Sequence, residues 1–249
     1  MPARWPHMGD LRQAPVASII LPTYNERDNI GPLLSSLIEV FDGHDFEILV
    51  VDDQSPDGTA QVVDELYGED ERVRVIVRPA NPGLAYSIQE GLSSAVGDIL
   101  VVMDTDFNHN PKDAVTLFKI CQHVDVVVGS RFIFGGGMPN RTRYWLSFWY
   151  NMMLWALIGT RVHENLSGFF AIKKSAMDQL DGSKIFWGYG DYFFRLLLWT
   201  QRVKLKHVQV PITYGERLSG ESKTQFVTIF AKYTSAALKI TIMKIMKKW

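Results

Sequence analysis

Short apolar runs recur through the first half of the chain, each followed by a polar turn and then by a longer stretch with apolar residues three or four apart. Ala17 to Leu21, Phe46 to Val51, Val73 to Val77, Val101-Val102-Met103 and Val124 to Val128 read as strands, and runs this continuously apolar belong to strands buried on both faces. The stretches from Arg27 to Phe41, from Thr59 through Val62, Val63 and Leu66, from Gly83 to about Val96, and from Pro111 to Cys121 carry helical periodicity. Strand and helix alternate with short loops. The pattern predicts an α/β fold with a mainly parallel sheet, right-handed crossovers and helices on its faces.

Two later stretches depart from this alternation. Between Arg143 and Arg161 the chain is apolar almost all round a helical wheel, with Ser147 and Asn151 as a thin polar stripe. Three tryptophans and flanking arginines suit a membrane interface, and the stretch is short for a span. From Phe226 to Trp249, isoleucine, phenylalanine, leucine and methionine alternate with Lys232, Lys239, Lys244, Lys247 and Lys248. This predicts a basic, apolar helix lying on anionic lipid; the other reading is a terminal helix packed on the sheet with its lysines in water. The expected organisation is a flexible tail over 1–16, one domain over 17–223 that includes the apolar helix at about 143–160, and a membrane-associating helix over 224–249.

Chemistry gathers where the strands end. The order of elements puts Tyr24 and Glu26, Asp52 and Asp53, and Asp104 and Asp106 at the ends of three strands on one edge of the sheet, where open α/β sheets bind ligands. Two carboxylates one residue apart repel unless a cation lies between them, so Asp104-Thr105-Asp106, with Asn108 beyond, points to a hard divalent ion, Mg²⁺ or Mn²⁺, shared with phosphate oxygens. A dinucleotide site would place a glycine-rich loop after the first strand; here that loop holds Pro22 and Glu26 and no glycine. Arg131 follows the fifth strand. Arg217, Ser222 and Lys223 lie between and beyond Gly215 and Gly220, a composition suited to clamping phosphate.

The formal charge of −1 over 249 residues, with both signs interspersed, argues against a nucleic-acid partner. Cys121 is the only cysteine, which excludes an intrachain disulfide and fits a reducing compartment. The first fifteen residues lack the apolar core of a signal peptide.

Seven stretches occur together in one order: PTYNE from Pro22, VVDDQSPDGT from Val50, NPGLAYSIQEGLSSAVGD from Asn81, MDTDFNHNP from Met103, GSRFIFGGG from Gly129, LSGFFAIKK from Leu166 and PITYGERLSGESK from Pro211. In these the chain resembles the dolichol-phosphate (polyprenol-phosphate) mannose synthases, inverting nucleotide-sugar glycosyltransferases of GT-A (Rossmann-like) fold. It departs from them in having Thr105, Phe107 and Asn108 where Ala, Leu and Gln are common, and Asn110 where proline is usual.

The resemblance implies that Pro22, Tyr24, Glu26 and Asp52, with Asp53 beside them, line a pocket for the nucleotide sugar, GDP-mannose in preference to UDP-glucose. It implies a metal on Asp104, Asp106 and Asn108, and Arg131, Arg217, Ser222 and Lys223 serving the diphosphate and the phosphate of a polyprenyl or dolichyl acceptor, with Asp106, Arg131 and Arg217 closest to the chemistry. An acceptor phosphate is already largely dianionic near neutral pH, so no general base is required. Asp191 stands where relatives with hydroxyl acceptors keep a base; capping the following helix is the preferred reading. The Gln-x-x-Arg-Trp motif of processive synthases is absent. The expected location is the cytoplasmic face of a membrane, as a peripheral or monotopic protein. The more distant alternatives are a sugar nucleotidyltransferase and a non-catalytic nucleotide-sugar sensor.

Overall fold

The structure is a computed structural model that describes residues 16–215 and 226–246. Arg217, Ser222 and Lys223, and the tail up to residue 15, lie outside the described residues. The elements follow one another as β1 (Ala17–Thr23), α1 (Arg27–Val40), β2 (Phe46–Asp52), α2 (Thr59–Tyr67), β3 (Val73–Val77), α3 (Leu84–Ser94), β4 (Ile99–Val102), α4 (Pro111–Cys121), β5 (Val126–Ser130), α5 (Arg141–Ile158), β6 (Phe170–Lys173), α6 (Lys174–Met177), α7 (Gly182–Ile185), α8 (Tyr192–Arg202), β7 (His207–Pro211) and α9 (Phe226–Ile245).

These strands form one sheet in the order β3-β2-β1-β4-β6-β5-β7. Every pairing is parallel except those of β6, which runs antiparallel between β4 and β5. The predicted α/β architecture is therefore present. Alternate residues of the continuous apolar runs bury to opposite sides: Ile19, Leu21, Val50 and Val101 pack under α1 and α4, whereas Ile20, Leu49, Val51 and Val102 pack under α3 and α8. Burying each such side chain is worth about 1.5–3 kcal/mol, which is why these runs hold the centre of the sheet. The α3 helix lies so close over β1 that any side chain at Gly91 would collide with Ile20.

The fifth strand begins at Val126 rather than Val124, and it runs on to Ser130 because β7 pairs with it as far as Pro211. Asn110, which stands where the synthases the chain resembles usually have proline, caps α4 by accepting the Lys112 N–H at 2.9 Å, with Pro111 opening the helix.

The apolar helix expected at about 143–160 is α5. Leu154 and Ile158 pack with Phe194 and Leu198 of α8 and with Tyr233, Ala237 and Ile240 of α9. The terminal helix thus rests on α5 and α8, while Phe230, Leu238, Ile242 and Met246 remain exposed. Among the described residues no helix is long and apolar enough to cross a membrane.

Candidate active site

Parallel neighbours β1, β2 and β4 open at one edge, and the exit loop of β1 is tied to the segment after β2. In the loop after β1, Asn25 donates its N–H to Ser55 Oγ of the loop after β2 at 2.9 Å, and Glu26 donates its own to Thr59 Oγ1 at the start of α2 at 3.0 Å. Glu26 also accepts from the Asn29 side chain at 2.8 Å, and Tyr24 stands 48 % exposed at the rim. Asp52 is buried and accepts from Thr23 Oγ1 at 3.1 Å and from Ser55 N and Oγ at 2.8 and 2.5 Å, so its carboxylate holds the turn that carries it. Asp53 pairs with Arg78 and accepts the Gly83 N–H at 2.7 Å, fixing the loop after β3. Arg78 also donates to the Asn81 carbonyl at 3.0 Å and lies 5.9 Å from the Tyr86 ring centre.

The turn after β4 carries the paired acids. Asp104 has its side chain 42 % exposed, whereas Asp106 is buried. Phe107 takes a left-handed φ of +63°, an uncommon conformation for a bulky residue, and this folds Asn108 back. Asn108 then donates its main-chain N–H to Asp106 Oδ1 at 3.1 Å and its side-chain amide to Oδ2 at 2.7 Å. The amide nitrogen is thereby committed, and the carbonyl oxygen is what Asn108 can offer a cation. Among the described residues no third Asp, Glu, His or Cys joins the pair. Two carboxylates and an amide oxygen, with water and phosphate completing the shell, form a donor set that fits Mg²⁺ or Mn²⁺.

Below this turn is a buried polar layer. Arg131, at the end of β5, donates Nε and Nη2 to Glu164 at 2.8 and 2.7 Å, and its guanidinium lies 4.2 Å from the Tyr214 ring centre. Burial works against its charge, and the facing Glu164 carboxylate more than offsets that, so Arg131 is held protonated. His109 lies between Asp104 and Tyr214. Burial, and secondarily the Arg131 charge, push its pKa down to about 3.

This shift gives a stability prediction. The unfolded chain takes up the His109 proton near its ordinary value and the folded chain does not, so stability is complete above about pH 6.5 and is lost as the pH falls, by about 2 kcal/mol at about pH 5. Burial lowers the His207 pKa as well, which adds to the slope. Urea denaturation at both pH values should therefore show a shallower pH dependence for His109→Asn than for the parent chain; equal slopes would refute the assignment.

The segment after β7 closes the layer. Gly215 donates its N–H to the Asn108 carbonyl at 2.9 Å and Tyr214 donates its own to Gly137 at 3.1 Å. A cavity of about 240 Å³ opens here, lined by Asn108, Met138, Pro139, Asn140, Arg143, Tyr214 and Gly215. It adjoins the start of α5, where Asn140 accepts the Arg143 N–H at 2.9 Å.

Asp191 corrects an expectation. It occupies the N-cap position of α8, but its side chain makes no capping hydrogen bond. The carboxylate instead pairs with Arg195, which is fully buried and also donates to the carbonyls of Ile185 and Trp187, and it accepts the Tyr189 N–H at 2.8 Å. A buried arginine one turn along demands a counter-charge more strongly than a helix end demands a cap.

The sequence reading passed over Arg78, His109, Glu164 and Tyr214, and it took Arg143 only as a flank of the apolar helix. His109 and Tyr214 lie inside motifs already singled out, and Glu164 in His163-Glu164-Asn165 carried no signal of its own.

Residues 18–181 match the glycosyl transferase family 2. The chain belongs to this family. The family 2 glycosyltransferase is 34% identical over 221 residues to the dolichol-phosphate mannosyltransferase of Pyrococcus furiosus, covering 86% of this chain and 60% of that protein's length. It is 34% identical to the undecaprenyl-phosphate mannosyltransferase of Micrococcus luteus, covering 82% of this chain and 85% of the relative, and 33% identical to the polyprenol monophosphomannose synthase of Mycolicibacterium smegmatis, covering 82% and 79%. The resemblance read from the seven motifs is thus matched by curated relatives.

The fold is that of glucosyl-3-phosphoglycerate synthase from Mycobacterium tuberculosis. Its complex with Mn²⁺, UDP and glucosyl-3-phosphoglycerate superposes with a TM-score of 0.69 at 22% identity, covering 91% of this glycosyltransferase and 80% of that chain.

Proposed function

We propose that this glycosyltransferase moves mannose from GDP-mannose to the phosphate of a polyprenyl or dolichyl phosphate, with inversion, giving a β-linked lipid-phosphate sugar. The observation that carries the reading is the similarity over four-fifths or more of the chain to three proteins named for mannosyl transfer or synthesis with polyprenol or dolichol phosphates. The acids at the edge supply its chemistry. Asp104, Asp106 and the Asn108 side-chain oxygen would hold Mg²⁺ or Mn²⁺, which would supply charge stabilisation to the departing diphosphate. Tyr24 and Glu26, with Pro22 and Asp52 behind them, would receive the base, and Asp53 with Arg78 would wall the donor side.

Arg131 contributes a fixed positive charge below the paired acids, and its grip on Glu164 makes it a rigid support. The cavity beside Arg143 at the start of α5 suits the acceptor phosphate, with Arg217, Ser222 and Lys223 following Gly215 in sequence. A dianionic phosphate attacks without first losing a proton, so Asp191, committed to Arg195, is not needed as a base.

Exposed aromatic and apolar residues support a membrane location. Trp145, Leu146 and Trp149 lie on the outer surface of α5, beside the acceptor cavity, and Phe134 is fully exposed on the preceding loop. A greasy acceptor would meet the protein there, at the cytoplasmic face of a membrane. Incubation with vesicles containing polyprenyl phosphate, Mn²⁺ and radiolabelled GDP-mannose tests the whole reading. Label should pass into the organic extract, with unlabelled GDP competing better than UDP. Label confined to the aqueous phase would overturn the mannose-to-lipid assignment, and stronger competition by UDP would overturn the choice of donor.

A further inference from the structure

His109 has no part in the roles above, yet it is among the most completely enclosed polar groups near the acids. Its ring stacks on Phe169 with centroids 4.4 Å apart and meets Tyr214 edge-on at 5.1 Å. Both nitrogens are engaged: Nδ1 accepts the main-chain N–H of Asp104 at 2.9 Å, and Nε2 faces the Tyr214 hydroxyl at 3.1 Å. A bond from an N–H requires a bare Nδ1, so the ring hydrogen is on Nε2 and is donated to the Tyr214 oxygen. Asp104 Oδ2 lies 3.9 Å from Nε2, beyond hydrogen-bond reach, so the neutral ring backs the carboxylate without neutralising it.

The backbone needs such a support. β4 ends at Val102, and Asp104 sits in the turn beyond it, three residues before the left-handed Phe107. The buried Asp106 is fixed locally by Asn108, whereas the half-exposed Asp104 has its main chain anchored to a ring from the far side of the same turn.

We propose that His109 is a positioning residue for the cation seat: by holding the Asp104 main chain on Nδ1, it keeps the Asp104 carboxylate aimed at the ion before substrate arrives. This rests on the reading of Asp104 and Asp106 as metal ligands. Groups that orient ligands without touching the metal commonly change its affinity by about 10- to 100-fold.

Two substitutions separate the two ends of the ring. In His109→Asn the side-chain oxygen takes the place of Nδ1 and keeps the Asp104 bond; in His109→Gln the amide reaches the place of Nε2 and keeps only Tyr214. Mn²⁺ affinity, measured by electron paramagnetic resonance on the full chain with GDP present, should stay within about threefold of the parent for the asparagine variant and weaken by about tenfold for the glutamine variant. The KM for the nucleotide sugar should rise in the glutamine variant and fall back in the asparagine variant.

Near-UV circular dichroism establishes that both fold. Should the glutamine variant not fold, His109→Asn and Tyr214→Phe decide the matter, since both retain the Asp104 bond; a tenfold loss of Mn²⁺ affinity in either would overturn the proposal. So would parental affinity in a folded glutamine variant while Asp106→Asn has lost the ion. If Asp106→Asn binds Mn²⁺ as tightly as the parent, the cation seat itself is misplaced and the role of His109 falls with it.

Discussion

Asp106→Asn should lower turnover by at least about a hundredfold while leaving the protein folded, because one of the two charges that would hold the cation against the departing diphosphate is gone. The structural cost is bounded by the local bonding. Asp106 is buried and accepts from both N–H groups of Asn108, so an isosteric amide turns one acceptor into a donor facing the Asn108 amide. That mismatch is worth about 1–3 kcal/mol. A protein of this size should then melt only several degrees lower. Steady-state rates and thermal melts on the same preparation check both halves, and activity within tenfold of the parent would remove Asp106 from the chemistry.

Glu164→Gln should produce the larger loss of stability. It leaves Arg131 buried against Tyr214 and Phe132 without its counter-charge, and breaking a buried pair from one side costs about 3–5 kcal/mol. That is a large share of the roughly 5–15 kcal/mol that holds a domain together. Removing both charges, as Arg131→Met with Glu164→Leu, should recover most of the stability, since an apolar pair of similar volume avoids the desolvation cost. It should not recover activity, because the fixed positive charge under the paired acids is then absent. Urea denaturation separates the cases, and a change below about 1 kcal/mol in Glu164→Gln would show that the pair does not bear on folding.

The part of the fold built from β1 to β5 was legible because strands buried on both faces announce themselves as unbroken apolar runs. β7 was not, since His207 to Pro211 mixes exposed and half-buried positions at the edge of the sheet, and β6, with four residues, is too short to show a period. The acids were legible for a related reason: the order of elements alone brings the ends of β1, β2 and β4 side by side. Their supports were not. Arg131 meets Glu164 across 33 residues and His109 meets Tyr214 across 105, pairings that packing decides and local spacing does not. Asp191 illustrates the same limit, because the demand of Arg195 for a partner is visible only once that arginine is known to be buried.

The antiparallel β6 carries one further consequence. The chain leaves β5 for α5 and returns through β6 to the same place, so that Gly129 donates its N–H to the Phe169 carbonyl at 3.0 Å. With its two ends stapled together, the excursion can change length in its exposed loop around Phe134 at little expense to the sheet, provided the Arg131–Glu164 pair at its base is kept. Under the proposed function, selectivity on the acceptor side could therefore drift with that loop while the donor half stays as it is.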